Sequence, residues 1–545
     1  MTKVLFYIED ILKEGVSREQ IEDFTPAYGM EVKEMTDSYV DMDITPNRPD
    51  LFGFAGYMRA LKHFYGMKKP DLDRYKVLST DAYSIEVNPN TRALRPFIVG
   101  LVAKNLKLDD NRLRYLINFT DTLAESIGRS RRRVAIGVHD LDKIEWPLRY
   151  EAVNDATIKP LNLNKEVSLK ELPEITEQGK RYGSIHKDKY LVLRDRSKVI
   201  AAIPIINSYY TKVTESTRSV FIDLNGDNLE LLQSLAALVA AELIDYGAEI
   251  YSVRSTYKNR AIVSPVFERR SIRIKYTQID KTLGHYVKVD ETIDLLNKMG
   301  YSAYRYGNFV MCSIPPYRID VIDNQDVLED IAIALGYNNI NPLEIKSSGS
   351  GLLSDETDLY NKITEIMIGY GFTQVMNTYL TNEKILFENM LRDTNRDNII
   401  MVEEPKEGSF TTLRDTAIPQ LLVSLKSSEG AKLPIKLFEV GKVFYKKNDT
   451  IYEEDVVAGV IESNKTNYIE IKAYVEGLMK LLGFNYKLRA SKHSSFIDGR
   501  AADLLNESSE VVGVFGEIHP QVLLNFSLFE AVTAFEIKLF SKAIR

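Results

Sequence analysis

Residues 229–246 read LELLQSLAALVAAELIDY, and no other stretch restricts the fold as tightly. A helix that is apolar or small on nearly every face has no side to give to water, so it must lie in a core. Its apolar run is shorter than the about twenty residues a bilayer span requires. Asp227 is expected as its cap, with Glu230 three residues later and Gly247 past its end. The flanking sequence supplies apolar runs that read as strands: PFIVGLVAKNL, VAIGVHDL, YLVLRD, VIAAIPII and VFIDL. They alternate with two amphipathic helices, of which this is the second, so residues 82–262 read as a mixed α/β domain.

Three further blocks follow from the same reading. Residues 1–81 form an N-terminal α/β domain: a strand and a short helix in VLFYIEDILKEGVSREQIEDF, then a proline-locked turn, Thr45 to Pro49. A helix capped by Asp50 follows, with Leu51, Phe54, Met58, Leu61 and Tyr65 on its apolar side and Gly66 at its end. Residues 266–343 form a small helix-rich domain. Residues 350–545 open with a helix from Asp355, end on the strand AVTAFEIKL and are strand-rich between. The chain is therefore expected to be an α+β multidomain protein whose last domain is built on an antiparallel sheet.

Composition excludes several classes. The single cysteine in 545 residues rules out a disulfide framework and fits a reducing cytoplasm. Cys312 stands in an apolar run and is expected in a core. MTKVLFYIEDILKEG meets acid within its first ten residues and is not a signal peptide, and no window is apolar enough to cross a membrane. A net charge of −7 does not describe a general polyanion binder. Nucleic acid contact must come from local patches, such as the four arginines of GRSRRR, Arg129 to Arg133.

The segment SIPPYRIDVIDNQDVLEDIAIALGYNNINP carries the most chemical information. Pro315 and Pro316 forbid helix at its start. A helix from about Asp323 buries Val327, Ile331, Ala334 and Leu335 and stops at Gly336. Asp326, Glu329 and Asp330 then share one end of one face, and Asp320 on the extended entry segment can fold back towards them. The helix macrodipole accounts for acids in the first turn, Asp323 and Asp326, but poorly for Glu329 and Asp330. An oxygen-only set free of His and Cys suits a hard cation, Mg²⁺.

The chain resembles the beta subunits of archaeal and eukaryotic phenylalanyl-tRNA synthetases. The resemblance rests on TPNRPDL, NPNTRALRPFIVG, VAIGVHDLDKI, PIINSYYTKVTESTRSVFIDLNG, PPYRIDVIDNQDVLEDIAIALGYNNI and VVGVFGEIHPQVLLNF, which occur in family order across essentially the whole chain. It implies a phenylalanine–tRNA ligase, cytoplasmic, with an alpha subunit as partner in an α₂β₂ tetramer, tRNA(Phe) as substrate and ATP as co-substrate. It implies a Mg²⁺ site at Asp320, Asp326, Glu329 and Asp330, shared with the alpha subunit.

The resemblance further implies that residues 82–262 form an editing domain that hydrolyses mischarged tyrosyl-tRNA. Its candidate residues are His139 and Asp140 after VAIGV, and Asn207 and Ser208 after AAIPII; Asn207 and His139 are singled out as catalytic. Turn residues also end strands for purely local reasons. Residues 350–545 are implied to be a class II synthetase fold that has lost catalysis. Thr378 stands where the first class II motif has proline, Arg414 and Glu439 only echo the second, and no arginine of the third precedes the end of the sequence. The same features also suit a free-standing aminoacyl-tRNA deacylase or a non-catalytic scaffold subunit.

Overall fold

In the computed structural model the apolar helix spans Leu229–Asp245 and is buried from Leu235 to Ile244, while its first turn, with Glu230 exposed, reaches the surface. It packs on the strands Phe97–Lys104, Val220–Gly226 and Glu249–Tyr257 and against the helix Phe54–Phe64. Its cap is Asn228, which accepts from the Leu231 amide at 3.0 Å, rather than Asp227. The structure describes residues 2–544 apart from 186–188, 343, 345–348, 395–397, 404, 406–407 and 449, and side chains as far as Leu539. The chain divides into two compact units, Met1–Ile345 and Lys346–Arg545.

The first unit begins with a three-stranded antiparallel sheet ordered Thr2–Tyr7, Tyr39–Ile44, Glu31–Met35. The helix Phe54–Phe64 follows, but Asp50 does not cap it. Asp50 lies in the preceding turn and takes the Arg48 guanidinium fork at 2.9 Å on each oxygen. Gly53 occupies the cap position and supplies no side chain. The free amides of Ala55 and Gly56 instead donate to Glu242 of the Leu229–Asp245 helix, at 2.9 and 2.7 Å. A buried helix start without local partners needs such a tertiary acceptor.

An eleven-stranded sheet dominates this unit. Its main path runs Ile206–Asn207, Val199–Ile203, Tyr190–Arg194, Leu148–Val153, Ser84–Val87, Glu249–Tyr257, Phe97–Lys104, Val220–Gly226, Val134–Asp140. The two ends of that path approach each other: Asn207 Nδ2 on the first strand donates to the Val138 carbonyl on the last at 3.3 Å. A smaller antiparallel sheet, Arg270–Lys275, Phe309–Ile314, Ser302–Tyr306, carries the helices Val289–Lys298 and Asn324–Leu335. The last of these has the capping box of Asp323 with Asp326 that the sequence predicts, and Gly336 ends it at φ 85°. One apolar cluster runs from Val4 through Leu238 to Ala334, so these successive stretches of chain share a core. Cys312 is buried in it.

The second unit is a seven-stranded sheet ordered Thr373–Gln374, Ile435–Lys447, Thr450–Glu462, Val532–Ile544, Val511–Ile518, Phe496–Leu505, Lys487–Ala490. Every pair is antiparallel except the first. Period-two alternation divides its central strand: Val456, Ala458 and Val460 meet the Ile418–Ser427 helix, while Val457 and Ile461 meet the helices Asp355–Gly369 and Tyr468–Leu482. The antiparallel sheet with flanking helices agrees with the sequence reading.

Candidate functional site

The seam of the large sheet holds a cavity of about 340 Å³. Its walls are mostly apolar, from Ala135–Val138 and Ala202–Ile206. Its polar groups include Asn207, Thr211, Asp223 and Asn225, and Thr120, Asp121, Arg131, Asn162, Gln178, Ser208 and Lys212 also border it. Asp223 stands opposite Gly137 in the antiparallel register, and Asn225, two residues on, shares its face of the sheet. A Cβ at Gly137 would lie 2.2 Å from Asp223 Oδ2, so only glycine leaves the carboxylate room.

His139 is fully buried behind this wall and does not line the cavity. Its Nε2 lies 3.1 Å from Asp223 Oδ2 and its Nδ1 2.8 Å from Thr211 Oγ1. A carboxylate only accepts, so Nε2 carries the proton; in the neutral ring Nδ1 then accepts from the Thr211 hydroxyl. His139 thus fixes two cavity groups rather than meeting a ligand itself. Asn225 Nδ2 donates to Asp223 Oδ1 at 2.8 Å, whereas Asn225 Oδ1 is buried without a partner. An unpaired acceptor in an apolar cavity awaits a donor, because leaving it unmet costs about 1–3 kcal/mol.

Of the strand-end residues named from the sequence, Asn207 lines the cavity, and its Oδ1 stays available because Nδ2 is tied to Val138. Ser208 also borders it, but its hydroxyl donates to the Lys159 carbonyl. Asp140 is a structural turn residue, accepting from Thr217 and pairing with Lys143. Asp223, Asn225 and Thr211 were not identified from the sequence. The available signal was VFIDLNG, where two polar residues interrupt an apolar strand at a spacing of two.

The arginine run is a left-handed turn: Arg129, Ser130 and Arg131 have φ of 50°, 53° and 62°. Buried Arg95 holds it by donating to the carbonyls of Arg131 and Arg132 at 2.9 and 3.1 Å. Arg131 folds into the cavity wall, donating to the carbonyls of Pro204 and Ile205 and pairing with Asp121. Arg129 and Arg132 remain exposed and unpaired among the described residues.

The acids after the double proline are divided between partners. Arg318, nearly buried, forks onto Asp320 at 2.8–3.2 Å and reaches Asp330 at 2.7 Å, and Tyr301 also donates to Asp330. Asp326 accepts from the amides of Ile322 and Asp323 at 2.6 and 2.9 Å. Glu329 is exposed. Among the described residues no group of three or more His, Cys, Asp or Glu side chains converges as a metal cage. Arg318 already neutralises two of the four acids. Of the four only Glu329 is left exposed, and a single carboxylate with several waters is the least that a hydrated magnesium ion accepts. The arrangement does not fit a four-carboxylate shell.

The same region explains TPNRPDL. Asp50 of that motif lies 3.8 Å from Arg59, which in turn lies 3.5 Å over the Tyr317 ring and pairs with Asp245, so the motif meets PPYR through buried charge. In the second unit Arg414 and Glu439, both buried, pair at 2.6 Å. Arg414 also donates to the Lys442 carbonyl, and Asn377 donates to Glu439. Both side chains are held within the fold, with Arg414 Nη1 buried and without a hydrogen-bond partner.

Comparison with known proteins agrees with these features. Residues 272–337 match the tRNA synthetase B5 domain, and residues 344–539 match the phenylalanyl tRNA synthetase beta chain CLM domain. These place the chain among aminoacyl-tRNA synthetase subunits. The phenylalanine–tRNA ligase beta subunit of Archaeoglobus fulgidus is 36% identical over 96% of this chain and 95% of that protein. That of Methanococcus aeolicus is 33% identical over 98% of each. An N-terminal fragment of the phenylalanyl-tRNA synthetase beta subunit from Pyrococcus horikoshii has a TM-score of 0.58 and 31% identity, covering 61% of this chain and 99% of that one. The chain belongs to the family of phenylalanine–tRNA ligase beta subunits. Among the described residues no helix is long and apolar enough to cross a membrane.

Proposed function

We propose that the chain is the non-activating subunit of an α₂β₂ phenylalanine–tRNA ligase. A partner alpha subunit joins phenylalanine to tRNA(Phe) with ATP, and the cavity of the first unit hydrolyses mischarged tyrosyl-tRNA. Activation of an amino acid by ATP needs cationic groups positioned on the phosphates. In the second unit the arginine and glutamate that echo the second class II motif are spent on each other. This supports a degenerate class II fold, and assigns activation to the partner.

Editing has a physical rationale. An apolar phenylalanine pocket rejects an isostere that adds a hydroxyl by only about 10²-fold. A second site built to pair with that hydroxyl recovers fidelity. The observation that carries this reading is the unpaired Asn225 Oδ1 beside Asp223, Thr211 and Asn207 in an apolar cavity. The tyrosine phenol donates to Asn225 Oδ1; phenylalanine would leave that acceptor unmet. Asn207 Oδ1 orients the attacking water. The water adds to the ester carbonyl carbon, its proton passes to the departing ribose oxygen, and tyrosine and intact tRNA separate. His139 acts as a positioning residue, holding Asp223 and Thr211.

The cation belongs to the same proposal. Glu329, the exposed carboxylate of the segment, would hold a hydrated Mg²⁺ at the surface that meets the alpha subunit and so link the two subunits.

The test is hydrolysis of tyrosyl-tRNA by the full chain, together with phenylalanine-dependent pyrophosphate exchange. The chain alone is expected to hydrolyse and not to exchange. Asn207→Ala is expected to slow hydrolysis on the order of 10²-fold, with phenylalanine charging by the two-subunit complex near the parent value. Hydrolysis unchanged in Asn207→Ala would remove this cavity from editing. Exchange by the chain alone would overturn the non-activating assignment.

A further inference from the structure

The chain leaves the cavity through a short turn, Tyr209–Thr211, whose two tyrosines take no part in the proposed hydrolysis. Ser208, Thr211 and Lys212, on either side of them, border the cavity. Tyr209 is 41% exposed although the backbone that carries it is tied down. Its amide donates to the Lys159 carbonyl at 2.8 Å, and Ser208 Oγ donates to the same carbonyl at 3.1 Å. Ser208 Oγ also accepts from the Tyr210 amide. The rings are therefore displayed by a fixed turn.

Three lysines surround them. Lys159 Nζ lies 4.4 Å from the Tyr209 ring centroid and 6.0 Å from that of Tyr210. Lys198 Nζ is 4.7 Å from Tyr210, and Lys212 Nζ is 5.9 Å from Tyr209. Among the described residues none of the three ammonium groups has a carboxylate partner, although the chain as a whole is acidic. Glu166 accepts from Tyr210 Oη at 2.8 Å, Asp140 pairs with Lys143 at 2.9 Å, and Asp195 accepts the Lys198 backbone amide at 2.7 Å rather than its ammonium group.

We propose that this turn is a binding platform for a single-stranded nucleic acid end, resting on the editing reading above. A terminal base of the tRNA stacks on Tyr209, and Lys159, Lys198 and Lys212 contact the adjoining phosphates, so that the aminoacyl ester reaches the cavity. Exposed aromatic faces interleaved with unpaired cations are what an unpaired strand recognises. A duplex offers only the outer face of its end pair, and its stiff paired backbone cannot fold adjoining phosphates around so short a turn. An acidic peptide would use the ammonium groups and leave the ring idle.

The test uses the full-length chain and a fluorescent single-stranded ribotetranucleotide, followed by anisotropy across a salt series, with a blunt RNA duplex as control. Tyr209→Ala is expected to weaken oligonucleotide binding roughly 5- to 150-fold, the span of one lost stacking contact, and Tyr209→Phe to retain it. Replacing all three lysines by alanine is expected to reduce the slope of log affinity against log salt by about 2, at roughly 0.7 per phosphate contact. The oligonucleotide carries no amino acid, so its binding does not depend on hydrolysis. Binding without hydrolysis of tyrosyl-tRNA would refute editing and keep the platform. Absence of binding by the parent, equal binding of the duplex, an unaffected Tyr209→Ala variant or an unchanged salt slope would each overturn the platform, whatever the fate of editing.

Discussion

Single residues in this protein take their chemistry from what burial has denied them. His63 faces inward on the Phe54–Phe64 helix; burial first, then the positive charges of Arg59, Lys68 and Arg74, lower its pKa from 6.5 to about 3. The unfolded imidazole protonates near 6.5, so below that pH the unfolded chain takes up a proton that the native state refuses. Its contribution is therefore full above pH 6.5 and is lost as pH falls towards 3, at about 1.4 kcal/mol per pH unit. Denaturation of parent and His63→Gln across pH 7 to 4 should show a shallower acid loss in the variant; parallel curves would refute it. The same dependence on surroundings limited what could be read from sequence at the cavity of the large sheet. Asn207 stood at a visible strand end. Asp223 and Asn225 gained meaning only when Gly137 and the Val134–Asp140 strand were set beside them. His139 looked like a cavity residue and proved to be the support behind one.

At the level of elements, helices and strands were largely legible, because periodicity and punctuation are local properties. The caps were less so. Asp323 was identified correctly, since the double proline leaves few places for the helix to begin. Asp227 and Asp50 were displaced by Asn228 and Gly53. Adjacent cap-competent residues cannot be ranked without knowing where the preceding strand or turn ends. The start of the Phe54–Phe64 helix goes further, since its acceptor, Glu242, is 186 residues away from Gly56. A Cβ at Gly56 would lie 1.8 Å from the Asp50 carbonyl oxygen and 3.2 Å from Glu242 Oε2. Gly56→Ala should destabilise the first unit by about 1–3 kcal/mol, the usual cost of overpacking. Gly369→Ala, at an exposed helix end with nothing within 4 Å, should be neutral or slightly stabilising. Urea denaturation of both variants decides the matter, and equal midpoints would refute the packing account.

At the scale of the whole molecule the acid-rich segment divides into acids bound inside the chain and one that faces outward. Asp330 balances the buried Arg318 inside the chain, so Asp330→Ala should cost the isolated subunit about 3–5 kcal/mol, as removing one partner of a buried pair does. Glu329 faces outward. Glu329→Ala should leave the isolated chain as stable as its parent and lessen the magnesium dependence of association with the alpha subunit. Sedimentation of both versions across a magnesium titration checks this, and superimposable curves would sink the shared-ion proposal. What the sequence determined alone was the kind of protein: strand and helix periods, an apolar helix that had to be internal, an antiparallel last sheet and motifs in family order. These depend on short-range chemistry that each segment carries with it. Tertiary structure decided which of many polar residues meet. The closing of the sheet brought Asn207 to Val138 and Asp223 into the cavity, and one buried arginine took two of four similar acids, leaving Asp326 to the amides of the helix start and Glu329 to the surface. Such outcomes depend on distances between residues far apart in the chain, and no local pattern encodes them.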